Sequence, residues 1–197
     1  MNKIIIPQTL SNTREQRRKM NNHNSFLILL TGFSGSGKST IADALDVYFY
    51  KQGIRTVVLD GDNLRNGLNK DLNFSPESRS ENLRRVGEVS KLFIDTGIVT
   101  LASFVAPYRK DRDNIKNIVG SENYFEIFVS TSIEECERRD IKGLYKRVRK
   151  GEIKNFTGID APYEVPVQPD MTIDTENKDI VDIIEAIALK LNDKMTL

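Results

Sequence analysis

Residues 26–40 read FLILLTGFSGSGKST, an apolar run followed by a glycine-rich loop. The run Phe26–Leu30 has the length and composition of a strand buried on both faces of a parallel sheet. The loop fits the pattern G-x-x-x-x-G-K-[ST] at every fixed position from Gly32 to Ser39, and apolar residues at helical spacing follow it. Because a strand, this loop and a helix in that order form a phosphate-binding loop, the stretch predicts a nucleoside-triphosphate site on an α/β fold.

The chemistry of this loop follows from its residue types. Glycines let the backbone approach a phosphate closely, and the N–H groups of the loop and of the helix start provide partial positive charge. Lys38 can reach the β- and γ-phosphates and is therefore a predicted catalytic residue. The Ser39 hydroxyl can bind Mg²⁺. The predicted contacts to the triphosphate are Gly32, Phe33, Ser34, Gly35, Ser36, Gly37, Lys38, Ser39 and Thr40.

The rest of the chain alternates strands with helices. Predicted strands cover residues 26–30, 56–59, 98–104, 125–129 and 171–173. Predicted helices follow the phosphate loop, cover about 76–95, 110–119 and 180–191, and begin once more at Ser132 as N-cap. This alternation predicts a three-layer P-loop NTPase fold, in which helices flank a mainly parallel five-stranded sheet and ligands bind at the carboxyl ends of the strands.

Two segments fall outside this alternation. Residues 1–24 are polar without sustained periodicity and are predicted to be an N-terminal extension, a solvated arm in preference to a subunit contact. The domain proper is therefore residues 25–197. Within it, residues 151–170 contain two glycines and three prolines. They are too long for a simple connection, so they are a candidate lid.

The composition excludes several classes of function. Lys and Arg number 29 against 28 Asp and Glu, and a net charge of +1 argues against a protein that coats nucleic acid or a membrane. Cys136 is the only cysteine and His23 the only histidine, which excludes an intramolecular disulfide and a cysteine-rich zinc site. No apolar run approaches the ~20 residues that cross a bilayer, and no secretory signal is recognisable, so a cytoplasmic location is expected.

A second group of candidate residues follows the second strand. Residues 60–63 read DGDN, and the carboxylates of Asp60 and Asp62 could hold Mg²⁺ through water or accept the proton of an attacking hydroxyl. The alternative is a turn in which Asp62 caps the next helix. A GTPase would carry N-K-x-D, and the Asn-Lys pairs at 69–72 and 177–180 lack the final Asp, so a small-molecule kinase is favoured.

Arginine and aromatic side chains extend this candidate site. Arg65 and Arg79 flank the strand-end carboxylates, and guanidinium groups there would suit a second anionic ligand. Phe74 and Phe156 lie in polar loops, where a large ring could stack on a base or cover the edge of the core. Both interpretations of the rings stay open on the residues alone.

These motifs together resemble the adenylyl-sulfate kinase family, which uses ATP to phosphorylate the 3′-hydroxyl of adenosine 5′-phosphosulfate (adenylyl sulfate). The resemblance runs from about residue 13 to the C-terminal helix. The matching stretches are 32–40, 59–65, 74–79, 81–82, 84–89, 103–109, 139–140, 142–146 and 151–160. The resemblance implies a P-loop kinase that binds ATP and adenylyl sulfate, requires Mg²⁺ and forms a homodimer.

The resemblance also implies roles for individual residues. Arg139 would lie over the adenine of ATP. From their position after the second strand, Asp60 and Asp62 are the predicted catalytic carboxylates, and Asp62 is predicted to hold the metal together with Ser39. The rings of Phe74 and Phe156 would enclose the adenine of adenylyl sulfate. The residues implied for acceptor binding are Asp62, Asn63, Leu64, Arg65, Phe74, Arg79, Glu81, Asn82, Val105, Lys142, Gly143, Leu144, Asn155 and Phe156.

Two positions depart from the family pattern. Ala106 replaces a frequent serine that is linked in some members to a proposed phosphoserine intermediate, so direct in-line transfer is expected here. Ser78 replaces a frequent aspartate before Arg79, and we expect a modest change in affinity. Two alternatives stay open: a kinase for another nucleotide 3′-hydroxyl or small alcohol, and a nucleotide-binding regulator without turnover.

Overall fold

The computed structural model describes residues 6, 8 and 10–197, and its centre is a sheet of five strands. The strands are β1 (Leu27–Thr31), β2 (Thr56–Asp60), β3 (Val99–Ser103), β4 (Tyr124–Val129) and β5 (Met171–Ile173). Their order across the sheet is β2-β3-β1-β4-β5, and every neighbouring pair is parallel. The predicted α/β fold with a five-stranded sheet is confirmed.

Helices cover both faces of this sheet, as expected for strands joined by crossover connections. They are α1 (Arg14–Asn21), α2 (Lys38–Lys51), α3 (Gly61–Asn66), α4 (Pro76–Asp95), α5 (Arg109–Val119), α6 (Ile133–Arg139), α7 (Leu144–Arg149) and α8 (Ile180–Met195). A 3₁₀ turn, Ser121–Asn123, precedes β4. None of the helices in the described part of the chain is long and apolar enough to cross a membrane.

The central strand β1 divides the hydrophobic core into two layers. Ile28 and Leu30 belong to the layer that contains α2 and α8, whereas Leu27 and Leu29 belong to the layer that contains α4 and α5. All five residues of β1 are buried. Burial on both faces accounts for the continuous apolar run, and it places the phosphate loop at the carboxyl end of the middle strand.

Helices α3 and α7 were not predicted, because both are short and begin beside a glycine. An aspartate stabilises the start of each: Asp60 accepts a hydrogen bond from the backbone N–H of Asp62 (3.0 Å), and Asp140 accepts one from that of Tyr145 (3.0 Å). The alternative in which Asp62 caps the helix after β2 is therefore wrong. The cap is Asp60, the last residue of the strand.

Helix α1 lies within the predicted N-terminal extension, yet it is attached to the domain. The Arg18 guanidinium donates hydrogen bonds to the Ser25 carbonyl (2.6 Å) and to Asn123 Oδ1 (3.0 Å). The expectation of a solvated arm is wrong for this helix. Arg18 makes the contacts, and the pattern of polar residues in a sequence does not show which distant groups such a long side chain bonds. Residues 1–5, 7 and 9 of the extension lie outside the described residues.

The segment 151–170, here called the lid segment, connects α7 to β5. Apart from one isolated bridge between Thr157 and Ala161, it has neither helix nor strand. Its far end is bonded to the sheet edge, since the Tyr163 hydroxyl lies 2.9 Å from Thr31 Oγ1 and the Glu164 carbonyl accepts a hydrogen bond from Arg112 (2.6 Å).

Candidate active site

A cavity of about 980 Å³ opens at the carboxyl ends of the strands. It is lined by residues of the phosphate loop, the start of α2, α3, α4 and the lid segment. Predicted site residues that line it are Ser34, Gly35, Gly37, Lys38, Ser39, Thr40, Asp60, Asp62, Arg65, Phe74, Arg79, Asn82, Val105, Arg139, Lys142, Leu144, Asn155 and Phe156. The fold therefore brings residues 120 or so positions apart in the chain into one space.

Hydroxyl groups hold the backbone of the phosphate loop from below. Thr131 and Thr175 both donate to the Ser36 carbonyl, at 3.1 and 3.0 Å, and the Tyr145 hydroxyl donates to the Ser34 carbonyl at 2.8 Å. With its carbonyls occupied in this way, the loop has its backbone held in a fixed conformation. Gly32 is required at the start of the loop because a Cβ there would clash with the Val129 carbonyl oxygen.

Lys38 is a buried cation at the floor of the cavity. Its side chain donates to the Phe33 carbonyl (2.6 Å) and to Ser36 Oγ (3.4 Å). Burial lowers the pKa of Lys38 to about 8. The Lys38 ammonium group therefore loses its proton nearer to neutral pH than an exposed lysine does. It lies against the loop that would bind a phosphate.

An oxygen-rich group lies next to Lys38. Ser39 Oγ donates to Asp60 Oδ2 (2.8 Å) and lies 3.1 Å from Ser103 Oγ. Hydroxyl and carboxylate oxygens are the ligands that Mg²⁺ prefers, and protein Mg²⁺ sites commonly use one or two carboxylates with phosphate and water oxygens. The residues present fit that metal. The sequence had predicted Asp62 as the carboxylate that holds the metal together with Ser39, whereas Asp60 is the one bonded to Ser39.

Asp62 and Lys142 both line the cavity and form an ion pair. Lys142 Nζ lies 2.5 Å from Asp62 Oδ2, and both side chains are more than half exposed. Asn63 and Leu64 share helix α3 with Asp62 but do not line the cavity, and Leu64 packs against the core instead. The helix therefore presents Asp62, rather than its two neighbours, to a ligand.

The two predicted aromatic residues line the same cavity from different loops. Phe74 is 63% exposed and its ring lies 4.4 Å from the Arg65 guanidinium. Phe156 meets the Tyr145 ring edge-on at 5.0 Å. Covering the core edge does not explain so exposed a ring as Phe74, which leaves a flat surface available for stacking.

Arg79 joins these two loops. Its guanidinium donates to the Phe74 carbonyl (3.0 Å), to Thr157 Oγ1 (2.8 Å) and to the Asn155 carbonyl (2.5 Å). One side chain of α4 thus holds both the Phe74 loop and the lid segment. Asn82, one turn further along α4, is buried and accepts a hydrogen bond from Asn69 (2.9 Å).

Some predicted residues lie outside the cavity wall. Glu81 forms ion pairs with Arg84 (2.7 Å) and Arg85 (2.9 Å), and these guanidinium groups lower the pKa of Glu81 to about 2. Phe33 instead packs against Tyr163 of the lid segment, with ring centres 5.1 Å apart. The remaining residues of this kind are Gly32, Ser36, Asn63, Leu64 and Gly143.

Arg139 also lines the cavity. It is paired with Glu135 (2.7 Å), and it donates to Thr175 Oγ1 (2.8 Å) and to the Thr175 carbonyl (3.1 Å). Thr175 was not predicted, although it also supports Ser36 of the phosphate loop. Its position just after β5, at the carboxyl edge of the sheet, is the signal that could have found it.

Comparison with known proteins identifies the family of the chain. A family model described as adenylylsulphate kinase matches residues 24–174. An adenylyl-sulfate kinase of Oceanobacillus iheyensis is 50% identical over 190 residues, 96% of each chain. One of Pseudomonas entomophila is 52% identical over 175 residues, 89% of this chain and 84% of the relative. A solved Mycobacterium tuberculosis APS kinase in complex with AMPPNP and APS has a TM-score of 0.83 at 40% identity, covering 86% of this chain and 98% of that one. The resemblance seen in the motifs is confirmed, and the chain belongs to the adenylyl-sulfate kinase family.

Proposed function

We propose that the cavity binds ATP along the phosphate loop and adenylyl sulfate between Phe74 and Phe156, and that the γ-phosphoryl group passes to the acceptor's 3′-hydroxyl. The products are ADP and 3′-phosphoadenylyl sulfate. One observation carries this proposal: a single cavity is lined both by the phosphate loop and by the aromatic and arginine residues assigned to the acceptor.

On the donor side, the protein's own groups stabilise negative charge. Lys38 lies where it can neutralise charge that develops on the β- and γ-phosphates. Ser39, Asp60 and Asp62 would provide oxygen ligands for Mg²⁺, and the bound ion would supply further positive charge to these phosphates. Arg139 contacts the adenine of ATP, and its guanidinium is itself held in place by Glu135 and Thr175.

On the acceptor side, Asp62 is the residue that meets the reacting hydroxyl. Its carboxylate lies in the cavity, oriented by Lys142, and it accepts the hydrogen bond of the 3′-hydroxyl and then its proton. Arg65 and Arg79 provide charge for the phosphosulfate group. The lid segment excludes water from the reacting groups, which limits transfer to water in place of the acceptor.

Transfer is direct in this proposal. Ala106 lines the cavity with a methyl group that cannot carry a phosphate, and its carbonyl is fixed by Arg112 (2.6 Å). A phosphoenzyme at this position is therefore chemically impossible. The phosphorus moves in one step from the ATP leaving oxygen to the acceptor oxygen.

The test is ADP release from Mg-ATP, measured with adenylyl sulfate, with other nucleotides and with sugar alcohols. We expect adenylyl sulfate to stimulate release strongly and the other acceptors to have little effect. Stimulation only by another acceptor would favour a kinase of different specificity. Nucleotide binding without any release would favour a regulator.

Assembly and location are further parts of the proposal. The family resemblance supports a homodimer, for which light scattering would give twice the mass of the chain; a monomer would contradict it. We also propose that the enzyme acts in the cytoplasm, which a tagged full-length chain would test by fractionation.

A further inference from the structure

Asp160 has no role in the chemistry described above, yet its carboxylate bonds to the backbone of two residues assigned to the acceptor. Its Oδ2 accepts from the Asn155 N–H (2.8 Å), and its Oδ1 accepts from the Phe156 N–H (2.5 Å). Both bonds are charge-assisted, and such bonds are about twice as strong as those between neutral groups. The carboxylate therefore fixes the two peptide groups that precede the Phe156 side chain.

The carbonyl of Phe156 is fixed as well. It accepts hydrogen bonds from the N–H groups of Ile159 (3.1 Å) and Ala161 (3.1 Å), which close the chain into a tight turn. With Asp160 on the N–H side and this turn on the carbonyl side, the backbone of Phe156 has little freedom. The direction in which its ring enters the cavity is set by these bonds and by the edge-on contact with Tyr145.

Asn155 is bonded from both sides. Its φ is +58°, a left-handed conformation that asparagine adopts more readily than most other non-glycine residues. Arg79 bonds its carbonyl on one side while Asp160 bonds its N–H on the other, so opposite charges hold one peptide segment between them. The depressed pKa of Asp160, which results mainly from these backbone bonds, keeps the carboxylate ionised.

The turn also rests on the phosphate loop. A Cβ on Gly158 would come within 2.7 Å of both Phe33 and Ile133, so this turn lies against the Phe33 side chain of the phosphate loop and against the start of α6. Any relaxation of residues 155–160 would consequently shift Phe156 relative to bound nucleotide.

We propose that Asp160 is a positioning residue for the acceptor: it holds Asn155 and Phe156 in the geometry that binds adenylyl sulfate. This inference rests on the proposed assignment of Phe156 to the acceptor. It predicts that loss of the Asp160 carboxylate weakens acceptor binding and leaves ATP binding nearly unchanged.

The test compares Asp160→Ala and Asp160→Asn with a matched control, Glu152→Gln. Glu152 is also a lid-segment carboxylate, but it pairs with the exposed Arg147 side chain (3.1 Å) and not with backbone. We expect Asp160→Ala to raise the KM for adenylyl sulfate about tenfold to hundredfold, because two charge-assisted hydrogen bonds are lost. Asp160→Asn keeps one acceptor oxygen, so its effect should be smaller, and Glu152→Gln should change either KM by less than about twofold.

Hydrogen exchange of the Asn155 and Phe156 amides gives a second measurement that requires no turnover. Exchange should accelerate in both Asp160 variants and not in Glu152→Gln. An unchanged KM for adenylyl sulfate, or an equal rise in the KM for ATP, would overturn the positioning role while leaving the proposed function intact. Wild-type protein that does not phosphorylate adenylyl sulfate would overturn the proposed function itself. If Asp160→Ala does not fold, the more conservative Asp160→Asn decides the matter.

Discussion

The two sides of the cavity are held in different ways. The donor half, meaning the phosphate loop with Thr131, Thr175 and Tyr145, is held by neutral hydroxyl groups bonded to loop carbonyls over a buried strand. The acceptor half, meaning the loops of Phe74 and Phe156, is held by the charged side chains of Arg79 and Asp160 near the surface. The donor geometry is therefore built into the core, whereas the acceptor geometry depends on a few charged groups that could rearrange with a ligand.

The largest effect is expected in the donor half, from Lys38→Ala. The buried ammonium group faces the site where charge develops in the transition state, so its loss should lower kcat by about 10²–10³-fold. The matched control is Lys190→Ala, at an exposed position on α8, which should leave kcat unchanged. Near-normal turnover by folded Lys38→Ala protein would refute the role given to this residue.

In the acceptor half, Arg79→Lys should have the next largest effect. A lysine ammonium cannot bond the Phe74 carbonyl, the Asn155 carbonyl and Thr157 together as the planar guanidinium does. We expect the KM for adenylyl sulfate to rise about tenfold to hundredfold, with little change in the KM for ATP. Steady-state kinetics with each substrate varied in turn would measure this, and an equal change in both constants would argue against separate halves.

The pH dependence should distinguish the halves as well. Lys38 must be protonated to bind phosphate, and burial lowers its pKa to about 8 in the free protein. The charged form is therefore present below that pH and is lost above it. The value of kcat/KM for ATP should be constant below the pKa and fall about tenfold per pH unit above it, and a profile without that fall would contradict the assignment.

Thr175→Val should produce a smaller effect confined to the donor half. The substitution keeps the side-chain shape but removes the bonds to Ser36 and Arg139. We expect the KM for ATP to rise by about threefold to tenfold, because one neutral hydrogen bond to Ser36 and one from the charged Arg139 guanidinium are lost. Thr172→Val, at an exposed position on β5 shortly before Thr175, is the control. A rise in the KM for adenylyl sulfate with no rise in the KM for ATP would contradict the assignment of Thr175 to the donor half.

The smallest effect is expected from Ser78→Asp, which restores the residue frequent in the family. Ser78 lies in the first turn of α4, where its N–H bonds to Ser75 Oγ (3.2 Å) and a carboxylate would interact favourably with the helix dipole. The KM for adenylyl sulfate should change by less than about threefold, as for a charge added near the surface. A much larger change would mean that charge beside Arg79 matters more than the present account holds.

The sequence predicted the donor half better than the acceptor half, for a physical reason. The phosphate loop is a local motif between a buried strand and a helix, so its residues are neighbours in the chain. In the acceptor half, the start of α4 was predicted in the same local way, from Pro76. Short helices α3 and α7 escaped because their stability comes from single aspartate caps. The bond between Arg79 and Asn155 joins residues 76 positions apart, and no local pattern reports such a contact.

The different partners of Asp60 and Asp62 were also not predicted. Asp60 lies beside Ser39 because β2 ends at the same edge as the phosphate loop, although β3 separates β2 from β1 in the sheet. The sequence placed both carboxylates of the DGDN stretch near the loop. It did not reveal that Asp60 would bond Ser39 while Asp62 would pair with Lys142, since that division depends on helix α3 turning at Gly61.

The stereochemical course of phosphoryl transfer shows whether the two nucleotides react directly with each other in the cavity. ATP made chiral at the γ-phosphorus with oxygen isotopes would be incubated with adenylyl sulfate, and the configuration of the phosphate in the product determined. If one cavity brings the two nucleotides together for a single in-line step, phosphorus will lie on the 3′-oxygen with inverted configuration. Retained configuration, or phosphorus on any other oxygen, would contradict the account.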